Sequence, residues 1–239
     1  MSTTQLILAL AVLFVGSAIQ GSVGFGLSLF AAPLLVLIDP TLVPGPAIVA
    51  SGVLNLLVIR RERAPHVWKQ MRWPIAFQVP GALLGAVAVA VVAGDNVTIF
   101  FSILILIAVG LSISGLHPAR TPRNLGIAGA VSGFMGTAVG IGGPPIALLF
   151  QRATGPEIRA ALSRYFAAAN VISLMMLALV GELTVDDVRA GVVLIPAVIL
   201  GYLVSSRLLG RIDAGAVRFA VLGLSAASAT VALVRALVT

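Results

Sequence analysis

Two stretches of this chain carry residue types that could hold a small charged solute. The first is Gly21-Ser22-Val23-Gly24-Phe25-Gly26, preceded by Gln20 and followed by Pro33. The second is Thr137-Ala138-Val139-Gly140-Ile141-Gly142-Gly143, followed at once by Pro144 and Pro145. Both lie inside long apolar runs. Glycine loses more backbone freedom in a helix than other residues do, and proline removes an N–H and disrupts the turn before it. Each stretch is therefore expected to break a helix. Within a membrane, broken backbone is tolerated only where protein buries it or where it lines a watery cavity. A broken helix aims unpaired N–H groups and the positive end of its dipole at that cavity, which is the chemistry of an anion site. Close helix packing through small residues is the competing reading.

The polar residues around the breaks extend the candidate site. Gln20, Ser22 and Thr137 flank the glycines, and Asn55, Gln78 and Asn170 are amides within apolar segments that must find partners. These amides suit either a polar pocket or helix-to-helix bonding. Arg164 is the one basic residue that reads as intramembrane. It lies five residues past Arg159, about 7 Å of helix rise, and is either an anion counter-charge or an arginine snorkelling to the interface. Tyr165 beside it offers a hydroxyl or an interface anchor. The candidate substrate-binding set is Gln20, Gly21, Ser22, Gly24, Gly26, Asn55, Gln78, Thr137, Gly140, Gly142, Gly143, Arg164 and Asn170. Ser51 and Ser163, and the small pair Gly81 and Gly85, read as packing residues.

Catalytic chemistry finds no support. All eight acids fall in expected loops or at segment edges: Asp39, Glu62, Asp95, Glu157, Glu182, Asp186, Asp187 and Asp213. Both histidines, His66 and His117, fall in loops. A proton relay through a buried acid is thereby disfavoured, while Na⁺ held by backbone carbonyls stays open. HExxH, P-loop and CxxC patterns are absent. With no cysteine, disulfides, thiolate metal sites and a cysteine relay are excluded. No metal, cofactor or catalytic set is expected.

The elements that must position these residues are membrane helices. Of 239 residues, 59% are hydrophobic and 10% charged, against roughly 25% charged in a soluble domain. Apolar segments of about 20 residues recur along the whole chain, and the alternation of a membrane β-barrel is missing. A net charge of +7 could suggest nucleic acid, but the basic residues cluster between spans as the positive-inside rule expects. Met1 to Thr4 carry no basic side chain before the first apolar run, which argues against a cleaved signal peptide. The expected segments are 5–38, broken at the first glycine stretch, then 41–59, 74–93 and 97–116. After them come 125–150, broken at the second stretch, and 160–180, 188–209 and 214–237. Trp68 and Trp73 suit the membrane interface.

The halves repeat with an offset near 116: Val23-Gly24-Phe25-Gly26 falls on Val139-Gly140-Ile141-Gly142, Pro80 on Pro196, and Gly85 on Gly201. Asn55 falls within one residue of Asn170. Charge sets the relative orientation of the halves. The basic loop 60–72 corresponds to the acidic loop 182–187, and the Asp95 turn to the basic loop 207–213. An odd number of crossings per half removes both conflicts. Loops 60–72, 117–123, 151–159 and 207–213 then face the cytoplasm, and Asp39, Asp95 and loop 182–187 face outside. The expectation is an all-α polytopic membrane protein forming one transmembrane domain. Its two inverted-topology repeats, about 5–116 and 124–238, each hold a glycine-broken hairpin plus three transmembrane helices.

On these features the chain resembles the TauE/SafE family of sulfite and organosulfonate exporters. The resemblance rests on the twin glycine-proline stretches, the duplicated layout and the small size, and covers nearly the whole chain. The first copy differs from the family pattern in carrying Phe25 and Leu27 where more glycine is common. The resemblance implies export of sulfite, sulfoacetate or related sulfonates from a bacterial cytoplasmic membrane. The partners would be a small anionic substrate and the lipid bilayer, with no nucleic acid, and a homodimer is compatible with it. An anion would bind between the breaks while the halves rock in alternating access. A potential negative inside would help expel it by about 2.3 kcal/mol per charge per 100 mV. An anion channel and a membrane assembly factor on the same scaffold are the alternatives.

Overall fold

The computed structural model describes residues 2–62, 68–92, 96–208 and 214–238. Arg63, His66, Asp95, Arg211 and Asp213 lie outside the described residues. Among those described, the chain forms ten α-helices: α1 Thr3–Val23, α2 Leu27–Ile38, α3 Gly45–Arg61, α4 Trp68–Val91, α5 Asn96–Ile113, α6 Pro122–Val139, α7 Gly143–Phe150, α8 Gly155–Leu179, α9 Val185–Leu208 and α10 Ala214–Val238. A single 3₁₀ turn, Pro40–Leu42, joins α2 to α3.

Side-chain caps start several of the helices. Ser2 and Gln5 form a reciprocal capping box on α1, with bonds of 2.7 and 3.2 Å. Thr121 caps α6 through Asn124 N–H, ahead of Pro122 in the first turn. Thr184 and Asp187 bond each other's N–H groups at the start of α9. Asp186 and Asp187 there also meet the positive end of the helix dipole.

Six helices, α1, α4, α5, α8, α9 and most of α10, are long and apolar enough to cross a membrane. The helices outlast the apolar windows from which they were expected. Trp68, Lys69, Arg72 and Trp73, expected in a loop, lie in the first two turns of α4, and Glu157 and Arg159 lie in the first turns of α8. The apolar window marks only the part that meets lipid, and a helix carries polar side chains past it at no backbone cost. By contrast α2 and α7 are short, about 18 and 12 Å at 1.5 Å per residue.

Both short helices fold back beside their partners. Gln5 on α1 donates to the carbonyl of Ile38 at the end of α2 (3.0 Å), so this hairpin returns to the end where it began. Gln151, just past α7, donates to the Leu116 carbonyl, and Arg120 donates to that of Leu149. The α6–α7 hairpin thus returns to its own starting end. That end is also where Arg61 meets Ser205, Arg159 meets Glu62, and Arg120 meets Glu157. It is called the Arg-rich end below. At the opposite, acidic end, Asp187 stands against Gly45 at the start of α3, and Asp39 caps the 3₁₀ turn that leads into it.

The packing follows a regular scheme. Helix α1 lies along α9 as α6 lies along α4, α3 crosses α9 as α8 crosses α4, and α2 contacts α10 as α7 contacts α5. The α4–α6 contact is main chain on main chain. A Cβ at Gly81 would strike the Ala130 carbonyl, and one at Gly129 the Pro74 carbonyl. Gly201 on α9 meets the Phe14 carbonyl of α1 in the same manner. Small residues here let the helices approach closely enough for dispersion contacts.

Candidate functional site

Both helix breaks are built on glycine. Helix α1 stops at Val23 because Gly24 takes φ 106°, a left-handed conformation that side chains resist, and Gly26 follows at φ 120°. Helix α6 stops at Val139, with Gly140 at φ 74°. After each break a new helix starts: Leu27 opens α2 and Gly143 opens α7. The N-termini of these two helices border one cavity.

The cavity borders the middle of α4 through Gln78 and of α8 through Phe166, Ala169, Asn170 and Ser173, and offers about 50 Å³ to the centres of water molecules. One water needs roughly 10–15 Å³ by this measure, so several waters or a compact ion fit. Its polar lining comes from Gln20 on α1, Ser28 on α2, Ser51 and Asn55 on α3, Gln78 on α4, Ser132 on α6, and Asn170 and Ser173 on α8. Gly26, Gly140, Gly142 and Gly143 supply main chain, and Phe25 and Phe166 supply apolar walls.

Hydrogen bonds fix these groups. Gln20 accepts the Leu27 N–H at 3.2 Å and donates to Asn55 Oδ1 at 3.0 Å, tying the start of α2 to α1 and α3. Asn170 donates to Ser51 Oγ (2.9 Å) and to the Ile48 carbonyl (3.2 Å). Ser132 donates to the Gly142 carbonyl, holding the second break. Behind the wall, Tyr165 donates to Gln78 Oε1, Gln78 reaches Ser173 at 3.4 Å, and Ser173 meets Thr137 at 2.7 Å.

Several donors are left over. Among the described residues, the N–H groups of Ser28 and Leu29 at the start of α2, and of Gly142 and Gly143 at the start of α7, donate to no protein acceptor. The same holds for the Asn55 side-chain amide. Pro144 and Pro145 have no N–H, so the second break offers fewer donors than a generic helix start would. Each N-terminus also presents roughly half a positive charge of helix dipole.

Of the thirteen residues singled out in the sequence, eight border the cavity: Gln20, Gly26, Asn55, Gln78, Gly140, Gly142, Gly143 and Asn170. Five stand elsewhere. Gly21 packs against Ser205 of α9, and Ser22 donates to the Ala18 carbonyl at 2.7 Å. Gly24 lies under Arg159, and Thr137 sits behind Ser173. Arg164 is 4% exposed and donates to the carbonyls of Ala160 and Glu62, both at 3.0 Å, toward the Arg-rich end. Four serines complete the lining. Ser51, read from the sequence as a packing residue, lines the cavity instead; it lies four residues before Asn55, and Ser173 three after Asn170, which puts each on its amide's helix face and was a legible signal. Ser28 and Ser132 had none.

A family model described as sulfite exporter TauE/SafE matches residues 8–231. No curated protein and no solved structure matches the chain.

Proposed function

The chain belongs to the sulfite exporter TauE/SafE family of membrane transporters, and from that premise we propose that it carries small sulfur-containing oxyanions out of the cell through the cavity between its two helix breaks. The observation that carries this reading is the set of unpaired main-chain N–H groups of Ser28, Leu29, Gly142 and Gly143 around one cavity. An oxyanion accepts several N–H bonds at once, and two helix N-termini favour negative charge. Such a site needs no arginine inside the cavity. Neutral dipoles hold the anion without leaving a buried cation unpaired when it departs.

Gln20, Asn55, Gln78 and Asn170 are proposed to shape the polar wall. The two phenyl rings would suit the carbon side of a sulfonate better than bare sulfate.

Two inverted repeats, about 5–116 and 124–238, are proposed as the moving parts. The matched packing of α1 on α9 and α6 on α4, and hairpins that return to opposite ends, support that division. By the positive-inside rule the Arg-rich end faces the cytoplasm of a bacterial inner membrane. The anion would leave by alternating access, driven at least in part by the membrane potential.

The test is ligand-dependent melting of the purified protein against sulfite, sulfate, thiosulfate, sulfoacetate, taurine and matched carboxylates. A ligand that binds only the folded state raises stability by RT ln(1 + [L]/Kd). A shift with sulfite or a sulfonate and none with the carboxylates supports the assignment. A flat response across all sulfur anions removes it.

A further inference from the structure

At the Arg-rich end, one glutamate binds three arginines drawn from both halves of the chain, two through its carboxylate and one through its main-chain carbonyl. Glu62, which ends α3, accepts from Arg159 of α8 at 2.6 Å and from Arg61 at 3.3 Å on the same oxygen. Arg164 donates to the Glu62 main-chain carbonyl at 3.0 Å, and its Nε is buried with no hydrogen-bond partner. Among the described residues, three guanidiniums stand against one carboxylate, an excess of two positive charges, in a pocket where the Arg61, Glu62 and Arg159 side chains are 13–17% exposed.

The cluster also ties neighbouring helices together at this end. Arg61 donates to the Gly21 carbonyl and to Ser205 Oγ, and stacks over the Tyr202 ring at 5.1 Å. Arg159 reaches the Ser22 carbonyl at 3.4 Å, and its side chain covers Gly24, where an added Cβ would stand 2.9 Å from Arg159 Cγ. Thus α1, α3, α8 and α9 are cross-linked just beyond the first break. None of Arg61, Glu62, Arg159 or Arg164 lines the cavity. The cavity's last lining residue on α3 in this direction is Asn55, six residues or about 9 Å short of Arg61. In the other direction it includes Ala47 and Ile48, within a turn of the acidic-end start of α3.

We propose that Arg61, Glu62, Arg159 and Arg164 form the closed gate of the Arg-rich end and also its anion entry station: an incoming oxyanion takes the place of the Glu62 carboxylate on the arginines, and the two halves part. The proposal rests on the transport reading above and adds a second anion station to it. Arginine forks match a carboxylate and a sulfur oxyanion alike, so the exchange conserves hydrogen bonds while it releases the Arg159–Glu62 ion pair that joins α8 to α3. No bond is made or broken, only ion pairs are exchanged. The excess positive charge raises the local concentration of anions over cations.

The chain has no cysteine, so one introduced thiol reports on access. Ala169→Cys, on the cavity wall, is placed in sealed vesicles of both orientations and exposed to a membrane-impermeant thiol reagent. The expected result is labelling from the acidic end and little from the Arg-rich end. Sulfite should raise Arg-rich-end labelling, and Glu62→Ala should raise it without any anion, each by roughly tenfold, the size of a typical coupling. Acidic-end labelling of each variant verifies that the cavity is folded. Arg159→Ala is the second variant and should open the same end if Glu62→Ala does not fold. Unchanged Arg-rich-end labelling in folded Glu62→Ala or Arg159→Ala overturns the gate. A gate that opens on substitution but not with sulfite or sulfate overturns the anion exchange. If the transport reading alone is wrong, no sulfur anion shifts melting, yet Glu62→Ala still exposes the thiol.

Discussion

Gln20 Nε2 donates to Asn55 Oδ1 at 3.0 Å, and this contact decides which end of the Asn55 amide is left unpaired at the cavity wall. It commits the Asn55 oxygen and leaves the Asn55 NH₂ group without an acceptor among the described residues. The other end of Gln20 accepts the Leu27 N–H. A single side chain therefore both pins the first helix break and turns its neighbour's donors toward the cavity.

Gln20→Glu tests that arrangement. The substitution keeps size and the acceptor for Leu27 N–H, but places a negative charge among the donors. Anion-dependent stabilisation should vanish while the fold persists. Gln20→Leu removes the acceptor as well, and stability should fall by about 1–3 kcal/mol, the cost of an unsatisfied buried donor. Melting with and without sulfite measures both.

The two breaks should respond unequally to a methyl group. Gly24 and Gly140 both have positive φ, so alanine strains either by roughly 1–2 kcal/mol. At Gly140 an added Cβ meets nothing within 4 Å. At Gly24 it would also collide with Arg159 and Ile158. Gly24→Ala should therefore lower the melting temperature more than Gly140→Ala. Equal losses would show that the Arg159 contact adjusts freely.

The chain Tyr165–Gln78–Ser173–Thr137 couples α8, α4 and α6 behind the cavity. Tyr165→Phe strands the Gln78 oxygen and should cost about 1–3 kcal/mol. The double change Tyr165→Phe with Gln78→Leu removes both polar partners and should cost less than the sum of the two single changes. A double-mutant cycle on unfolding midpoints reads the difference.

The sequence made the breaks legible because only glycine takes positive φ without strain, and each glycine cluster stands in an otherwise apolar run. The amides were legible because a polar side chain within such a run must find a partner. The Glu62 cluster was not. Glu62 reads as a loop acid, and its partners Arg159 and Arg164 lie about a hundred residues away, brought near only when α3 crosses α8. Arg164 was legible as the one basic residue within a span, with a counter-charge or an interface position open to it, but its partners, the carbonyls of Ala160 and Glu62, were not. Ser28 and Ser132 carry no signal of their own, since their role comes from a chain reversal that sets Gly142 beside Ser132.

Membrane potential supplies the last test, because all eight acids of the chain read as loop or helix-end groups in the sequence, which disfavours proton coupling through an intramembrane carboxylate. A monovalent sulfonate moved alone across 100 mV gains about 2.3 kcal/mol, which corresponds to roughly a fifty-fold concentration ratio at equilibrium. A divalent anion gains twice the free energy. Proteoliposomes loaded with potassium and treated with valinomycin set the potential, and labelled sulfonate reports the ratio. With no proton or sodium gradient, the accumulation ratio should follow the imposed potential with a slope of one charge for a monovalent substrate. The slope should be unchanged when proton or sodium gradients are then added. A slope near zero, or one that appears only with sodium, would show that a second ion moves with the substrate.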